Sequence, residues 1–226
     1  MFVGPLLTIL TVWLALEYGM SASGRFGKDF SPNLAIGLAV WLFFIEVVQT
    51  ATGSIAINPH LVKKVVFPVW VLPVAATLSA FAVHLVVLAV VMIVLCLTGL
   101  PLRASLLSLS FWMACLFVSG MMIGLLLATL NVLIRDTAVI APNAMALLFW
   151  LTPIVWPLQH LTGVWQSVVL ANPMAAIIEG YRAAFGIGES LAAKPSLSYF
   201  TLTLLVLSGL AVAIYRRSRP LFSDSL

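Results

Sequence analysis

Charged side chains make up only 8% of this sequence, so any that interrupt apolar runs are candidates for chemistry. Glu46 is the one acid clearly inside a long apolar run, and with Gln49, Thr50 and Gly53 it forms a polar stripe at helical spacing. An ionisable residue in such a setting either handles ions, protons or a polar substrate, or makes a structural contact with a neighbouring helix. His84 sits mid-way along another apolar run, where helix packing accounts for it better than proton transfer. Arg135 and Asp136 stand together between two apolar runs in "LNVLIRDTAVIAPN". Lys63 and Lys64 lie in "INPHLVKKVVFPVWVLP", and Glu179 and Arg182 are three apart, a spacing at which opposite charges meet on one helix face.

None of these sets has the spacing of a catalytic or metal site. The segment "SGRFGKDF" only imitates a phosphate loop, with Ala22 where the first glycine belongs and Asp29 in place of Ser or Thr. There is no HExxH, no nucleophile elbow and no cluster of acids suited to a metal. Cys96 and Cys115 fall within apolar runs and read as small core residues. No catalytic residue, metal or cofactor is expected in this chain.

The elements that position these residues follow from composition. The chain has 226 residues, 63% of them hydrophobic, against roughly 45–50% in a soluble domain. A soluble protein so poor in charge could not cover its own surface, so lipid is the main solvent. The net charge of +4 is too small to point to nucleic acid and fits basic rims at a membrane surface.

Runs long enough to span number six: Phe2 to Tyr18, Leu34 to Ile57, Val69 to Leu97, Leu106 to Ile134, Val139 to Trp156, and Tyr199 to Tyr215. The first lacks the basic start and cleavage site of a signal peptide. Both termini are placed in the cytoplasm, because Lys63, Lys64, Arg135, Arg216, Arg217 and Arg219 then form compact inner clusters. The outer cations Arg25, Lys28, Arg103, Arg182 and Lys194 mostly have Asp29, Glu179 or Glu189 nearby. Phe149, Trp150, Trp156, Trp165, Tyr199 and Phe200 gather at the outer level, either as an interfacial belt or as rings that stack on sugar.

Three connecting segments carry most of the information. Asn58 and Pro59 supply a cap and first position for a short inner helix over about Pro59 to Val66, limited by Pro68 and Pro73. Arg135-Asp136-Thr137 leaves room only for a tight turn, with Asp136 or Thr137 capping the fifth span and Arg135 complementing the end of the fourth. Between spans five and six, Pro153 and Pro157 break the helix. Two short pieces follow, Val164 to Leu170 and Met174 to Phe185, the second capped by Asn172-Pro173 and ended by Gly186 and Gly188. They read as interfacial or re-entrant, a hairpin suited to a lid or gate. Gly120, Gly124 and Ala128 place small residues every fourth position on the fourth span, which suits close helix contact.

The chain resembles the membrane-spanning permease subunit of ABC exporters that move cell-surface polysaccharides such as O-antigen, capsule or teichoic acid. The resemblance rests on "NPHLVKKVVFPVWVLP", on "NVLIRDTAVIAP" with "WLTPIVWP", and on "LANPMAAIIEGYRAAFG", in the family's order and at about its spacing. It implies an all-α integral membrane protein, one permease domain over 1–226, with six transmembrane helices, a cytoplasmic coupling helix and short external gate helices between spans five and six. It implies a homodimer in the bacterial plasma (inner) membrane, moving an undecaprenyl-linked glycan amid membrane lipid. Two separate ATP-binding subunits would hold the ATP and magnesium. Pro59, His60, Lys63, Lys64 and Phe67, with Arg135 and Asp136, would face those subunits. Glu46, Gln49, Trp156, Trp165, Asn172, Pro173, Glu179 and Arg182 would line or gate the path. Family members carry a cytoplasmic amphipathic helix before the first span; this chain begins almost inside the membrane, so that helix is expected to be missing from it. A permease of this architecture carrying a drug or lipid, or a membrane-embedded transferase, are the alternatives.

Overall fold

Lipid offers no partners to backbone N–H and C=O groups, so a chain with these runs must satisfy them inside helices. The computed structural model describes residues 4–5, 7–11, 14, 30–64, 67–97, 105–156, 164–170, 172–187 and 196–222, and all regular structure among them is helical. In chain order the helices are α1 (Phe30–Ala51), α2 (Pro59–Lys64), α3 (Val71–Leu97), α4 (Leu106–Leu133), α5 (Thr137–Leu151), α6 (Val164–Leu170), α7 (Pro173–Ala184) and α8 (Ser196–Ser218), with a 3-10 turn at Arg219–Leu221. Residues 4–5, 7–11 and 14 are helical too and belong to the first expected span. The rest of that span lies outside the described residues, as do Arg25, Lys28, Asp29, Arg103, Pro157, Gly188, Glu189 and Lys194. The same holds for residues 22–29 of the phosphate-loop look-alike and for 65–66 at the end of the expected inner helix.

Among the described residues, four helices are long and apolar enough to cross a membrane: Pro32–Ala51, Val71–Leu97, Leu106–Leu133 and Leu197–Leu221. Three of the expected spans have different bounds; the run from Tyr199 to Tyr215 extends to Ser196–Ser218 in α8, and two others change more. The run from Leu34 to Ile57 forms a helix that starts a turn earlier and stops at Ala51. Beyond it the chain continues as turns, with Ser54 N and Ser54 Oγ both donating to Ala51 O, at 3.0 and 2.7 Å. The run from Val139 to Trp156 forms a helix of only 15 residues, about 22 Å at 1.5 Å per residue. It ends because Pro153 forces Thr152 into extended backbone at φ −95°, ψ 138°.

α1 is the centre of the bundle. Ile36, Val40, Phe44, Val47 and Ala51 are fully buried, and its neighbours are α3, α4, α5 and α7. A helix apolar on all sides belongs in such a place. Lipid tails are as apolar as leucine, so what holds helices together here is close packing. The small-residue row on α4 provides it: a Cβ on Gly120 would meet the Phe43 ring at 2.6 Å, and one on Gly124 would meet Ala51 Cβ at 3.0 Å. α3 and α8 turn Leu78, Leu85, Ile93, Leu202, Leu205 and Val206 outward.

A second, smaller apolar cluster closes one end of the bundle. It unites Ile55, Val69, Leu125, Ala128, Val132, Tyr215 and Phe222. These residues come from both sides of α2, the end of α4 and the end of α8, which places those segments together at one end. The turn at Arg135-Asp136 follows directly from Val132 and shares that end. α7, the N-terminus of α1 and the break after α5 meet at the other.

Candidate functional site

At the α2 end, the candidate residues form an exposed polar rim. Pro59 and His60 open α2, with His60 exposed and Pro59 half-buried; Lys63 and Lys64 close it, their side chains outside the described residues. The side-chain amide of Asn58 donates back to Ser54 O at 2.9 Å, so its nitrogen secures the preceding turn. Phe67 is half-buried just beyond. Arg135 and Asp136 are exposed, in a turn closed by Thr137 N donating to Ile134 O at 3.0 Å. Asp136 occupies the N-cap position of α5 with helical backbone and without the expected side-chain cap. Without that bond, only its charge can favour the helix end. The polar pair is therefore a solvent-facing turn and not a buried ion pair. Arg216, Arg217 and Arg219 are exposed at the same end.

At the opposite end, the structure brings Asn172, Pro173, Glu179 and Arg182 together around residues 152–156. Pro173 starts α7, and Asn172 caps it by accepting from Met174 N at 3.0 Å while donating to Thr152 Oγ1 at 3.1 Å. Arg182 is 4% exposed and Glu179 15%, and they pair at 2.6 Å. The guanidinium also donates from Nε and Nη2 to Asn33 O at 3.2 and 2.9 Å, from Nη1 to Pro153 O at 2.9 Å, and from Nη2 to Ile154 O at 3.0 Å. A planar fork of donors thus fills carbonyls of the non-helical segment that follows α5, and ties them to the first turn of α1. Trp156 joins the same break, its Nε1 donating to Trp150 O at 3.1 Å. Trp165 stands 71% exposed on α6, apart from this network.

α7 itself is packed into the bundle against α1, α4 and α8, and nine of its twelve residues are buried. It does not lie across the bundle as a loose hairpin. Gly180 makes the approach possible: a Cβ there would fall 2.2 Å from the Trp112 ring. One residue along, Tyr181 reaches His84 on α3, Oη to Nε2 at 3.1 Å, and His84 Nδ1 lies 3.2 Å from Ala39 O. A carbonyl only accepts, so Nδ1 carries the proton and Nε2 accepts from the phenol. The Tyr181 phenol is fully buried and donates to that ring nitrogen. His84 is thus a satisfied packing residue, as expected. Tyr181, Trp112 and Gly180 were not singled out from the sequence. Their partners are far away along the chain, and only the tyrosine's polar tip in an apolar helix signals a need for one.

The remaining candidates lie apart from both groups. Glu46 is half-buried on α1, one turn before Thr50, whose hydroxyl bonds Glu46 O at 2.7 Å. Gln49 lines a groove of about 390 Å³ between α1, α5 and Thr8, with Trp41, Ile45, Phe149 and Trp150; Glu46 is not in its wall. Trp41 and Phe149 meet edge to face at 5.6 Å. The groove is apolar and ring-lined, with one amide at its margin. Among the described residues no group of acids, histidines and cysteines could hold a metal ion.

What the helices belong to is decided by comparison with known proteins. Residues 1–186 match the family model for the ABC-2 type transporter. The chain belongs to the ABC-2 type transporter family. Among curated proteins, it is 26% identical over 190 residues to an O-antigen export system permease protein RfbA of Klebsiella pneumoniae, covering 81% of this chain and 71% of that protein. It is 26% identical over 209 residues to the protein of that name from Myxococcus xanthus, covering 88% and 76%. A further Klebsiella pneumoniae protein of that name is 27% identical over 189 residues, covering 81% and 71%. As an ABC-2 transporter subunit the chain is a multi-pass membrane transport component, a family that works with an ATP-binding subunit.

Proposed function

We propose that this chain is the permease subunit of an ATP-driven exporter carrying lipid-linked O-antigen polysaccharide across the bacterial plasma membrane. It acts as a homodimer, with ATP bound by two separate subunits on the cytoplasmic side. The observation that carries this reading is the family match over most of the chain, joined to three relatives named for O-antigen export.

The geometry supports the division of labour. α2 is a six-residue helix between two spans, shaped as a coupling helix, and Arg135-Asp136 forms an exposed turn at its level. The exposed Arg135, Arg216, Arg217 and Arg219 at this end favour a cytoplasmic placement. Arg182, which the sequence counts among outer charges, is buried and neutralised by Glu179, so it does not oppose that orientation. Six spans follow if the helical stretch that includes residues 4–5, 7–11 and 14 and α5 cross with the four longer ones. α5 crosses with the help of the extended break at 152–156 that follows it.

The packing of α7 bears on how the path opens. Moving α7 alone would break the Arg182 network and the Tyr181–His84 bond together, so α7 travels with α1, α3 and α4. The gate is then formed between two subunits that move as bodies, each state stabilised by its own contacts with the ATP-binding subunits. The ring-lined groove beside Gln49 offers apolar faces suited to a sugar or a lipid tail.

The test is complementation. The chain, expressed with its ATP-binding subunit in a Klebsiella pneumoniae strain deleted for its own O-antigen permease, restores O-antigen at the cell surface. Normal membrane insertion with O-antigen retained inside the cell overturns the reading.

A further inference from the structure

The C-terminal turn has a role that a basic tail at a membrane surface does not need. After α8 the chain tightens into the 3-10 turn Arg219–Leu221 and runs on in helical backbone to Phe222, whose N–H donates to Arg219 O. Arg219, Pro220 and Leu221 are exposed, yet Phe222 is 1% exposed. Its ring packs on Tyr215 at 6.1 Å and an interplanar angle of 63°. A tail that only anchored to lipid would turn its aromatic ring outward and its cations along the headgroups. Here one ring is inserted into the protein.

The place of insertion matters. The cluster that receives Phe222 also contains Ile55 and Val69, the apolar residues that flank α2 on either side. A helix of six residues cannot hold its own shape or position, because isolated helices this short are unstable. Its orientation is set by the seating of its two ends. The same cluster holds Val132 at the end of α4 and Tyr215 on α8, so any displacement of α2 enters the two long spans through it.

The cluster also lies among unsatisfied polar atoms. Of the buried side-chain atoms without a hydrogen-bond partner among the described residues, Asn131 Oδ1 and Tyr215 Oη are at this end, and Ser119 Oγ is about three turns away on α4. At the other end His84, Tyr181, Thr152 and Arg182 are all bonded. Orphaned buried groups are costly, and a rearrangement that gives them partners is favoured. The α2 end thus holds two buried polar atoms that a rearrangement would satisfy, beside Thr52 and Thr129, which are already bonded.

We propose that Phe222 is a positioning residue for coupling: its ring fixes the bed on which both ends of α2 rest, so that movement of α2 is passed to α4 and α8. This rests on the reading of α2 as the segment that meets the ATP-binding subunit. The permease and that subunit are reconstituted in proteoliposomes with undecaprenyl-linked O-antigen glycan as the probe. ATP hydrolysis and glycan movement are read on the same vesicles. Phe222→Ala is expected to keep the ATP-binding subunit bound and to lower glycan moved per ATP about tenfold, a change of the size seen for residues on coupling routes. Phe222→Leu, which conserves most of the volume, brings the ratio back to within about twofold of the wild type. If Phe222→Ala does not accumulate, Phe222→Val carries the same expectation at about threefold. A ratio equal to the wild type in the folded variant overturns the inference and leaves the exporter reading standing. Loss of the ATP-binding subunit from the complex also overturns it, making Phe222 a docking or folding residue. A wild-type complex that moves no glycan overturns the exporter reading itself.

Discussion

Replacing Arg182 by Met tests the claim that α7 is fixed into the bundle. The substitution keeps a long apolar stem of similar reach and removes every donor. It strips hydrogen bonds from Asn33 O, Pro153 O and Ile154 O, and leaves the Glu179 carboxylate, 15% exposed, without its cation. Breaking a buried pair from one side costs about 3–5 kcal/mol, since the remaining charge loses its compensation. At roughly 2–4 °C per kcal/mol for a chain of this size, unfolding shifts down by about 6–20 °C. Glu179→Gln keeps an acceptor for Nη1 and trades a charged hydrogen bond for a neutral one, a loss of about 1 kcal/mol. The double variant should lose less than the sum, because the two residues share one interaction. Thermal unfolding followed by tryptophan fluorescence in detergent or nanodiscs measures all three. An Arg182→Met protein that unfolds within about 2 °C of the wild type would mean that the guanidinium is solvated. The fixed frame at the α7 end, and the movement of whole subunits proposed from it, would then fail.

Three other expectations concern separate parts of the molecule. Gly180→Ala places a methyl group 2.2 Å from the Trp112 ring; it should lower the unfolding temperature and the yield of folded protein through overpacking of about 1–3 kcal/mol. Lys63→Glu with Lys64→Glu should weaken co-purification of the ATP-binding subunit, or ATP-driven export, while insertion stays normal; unchanged export counts against α2 as the coupling segment. Trp156→Ala and Trp165→Ala should reduce export at constant protein level if the rings touch sugar. Trp165, 71% exposed, is the cleaner of the two, because Trp156 also bonds Trp150 O.

Much of the architecture was legible because lipid imposes a simple rule: long apolar runs become helices. α3, α4 and both short pieces α6 and α7 have nearly the expected bounds, and the pairing of Glu179 with Arg182 follows from their spacing. Pro153 predicted a break, but the full shortening of α5 depended on Thr152 taking extended backbone. The burial of α7 was not legible. Its composition, with Glu179 and Arg182 among alanines and isoleucines, reads as an interfacial helix. Arg182 finds its carbonyls at Asn33, Pro153 and Ile154, and Tyr181 finds His84, through separations that leave no periodic signal. The one available clue was that carbonyls left open at a helix break need donors, and that a lone arginine nearby can supply several. Phe222 was hidden for a different reason: a short aromatic-tipped basic tail looks the same in sequence whether its ring faces lipid or protein.

Co-purification of this permease with its ATP-binding subunit in nanodiscs shows whether the two work together on lipid-linked glycan. A stable complex is expected, with ATP hydrolysis that rises when undecaprenyl-linked O-antigen glycan is added. A permease that purifies alone, or a complex whose hydrolysis is unchanged by the glycan but rises with a drug or a plain phospholipid, would contradict it.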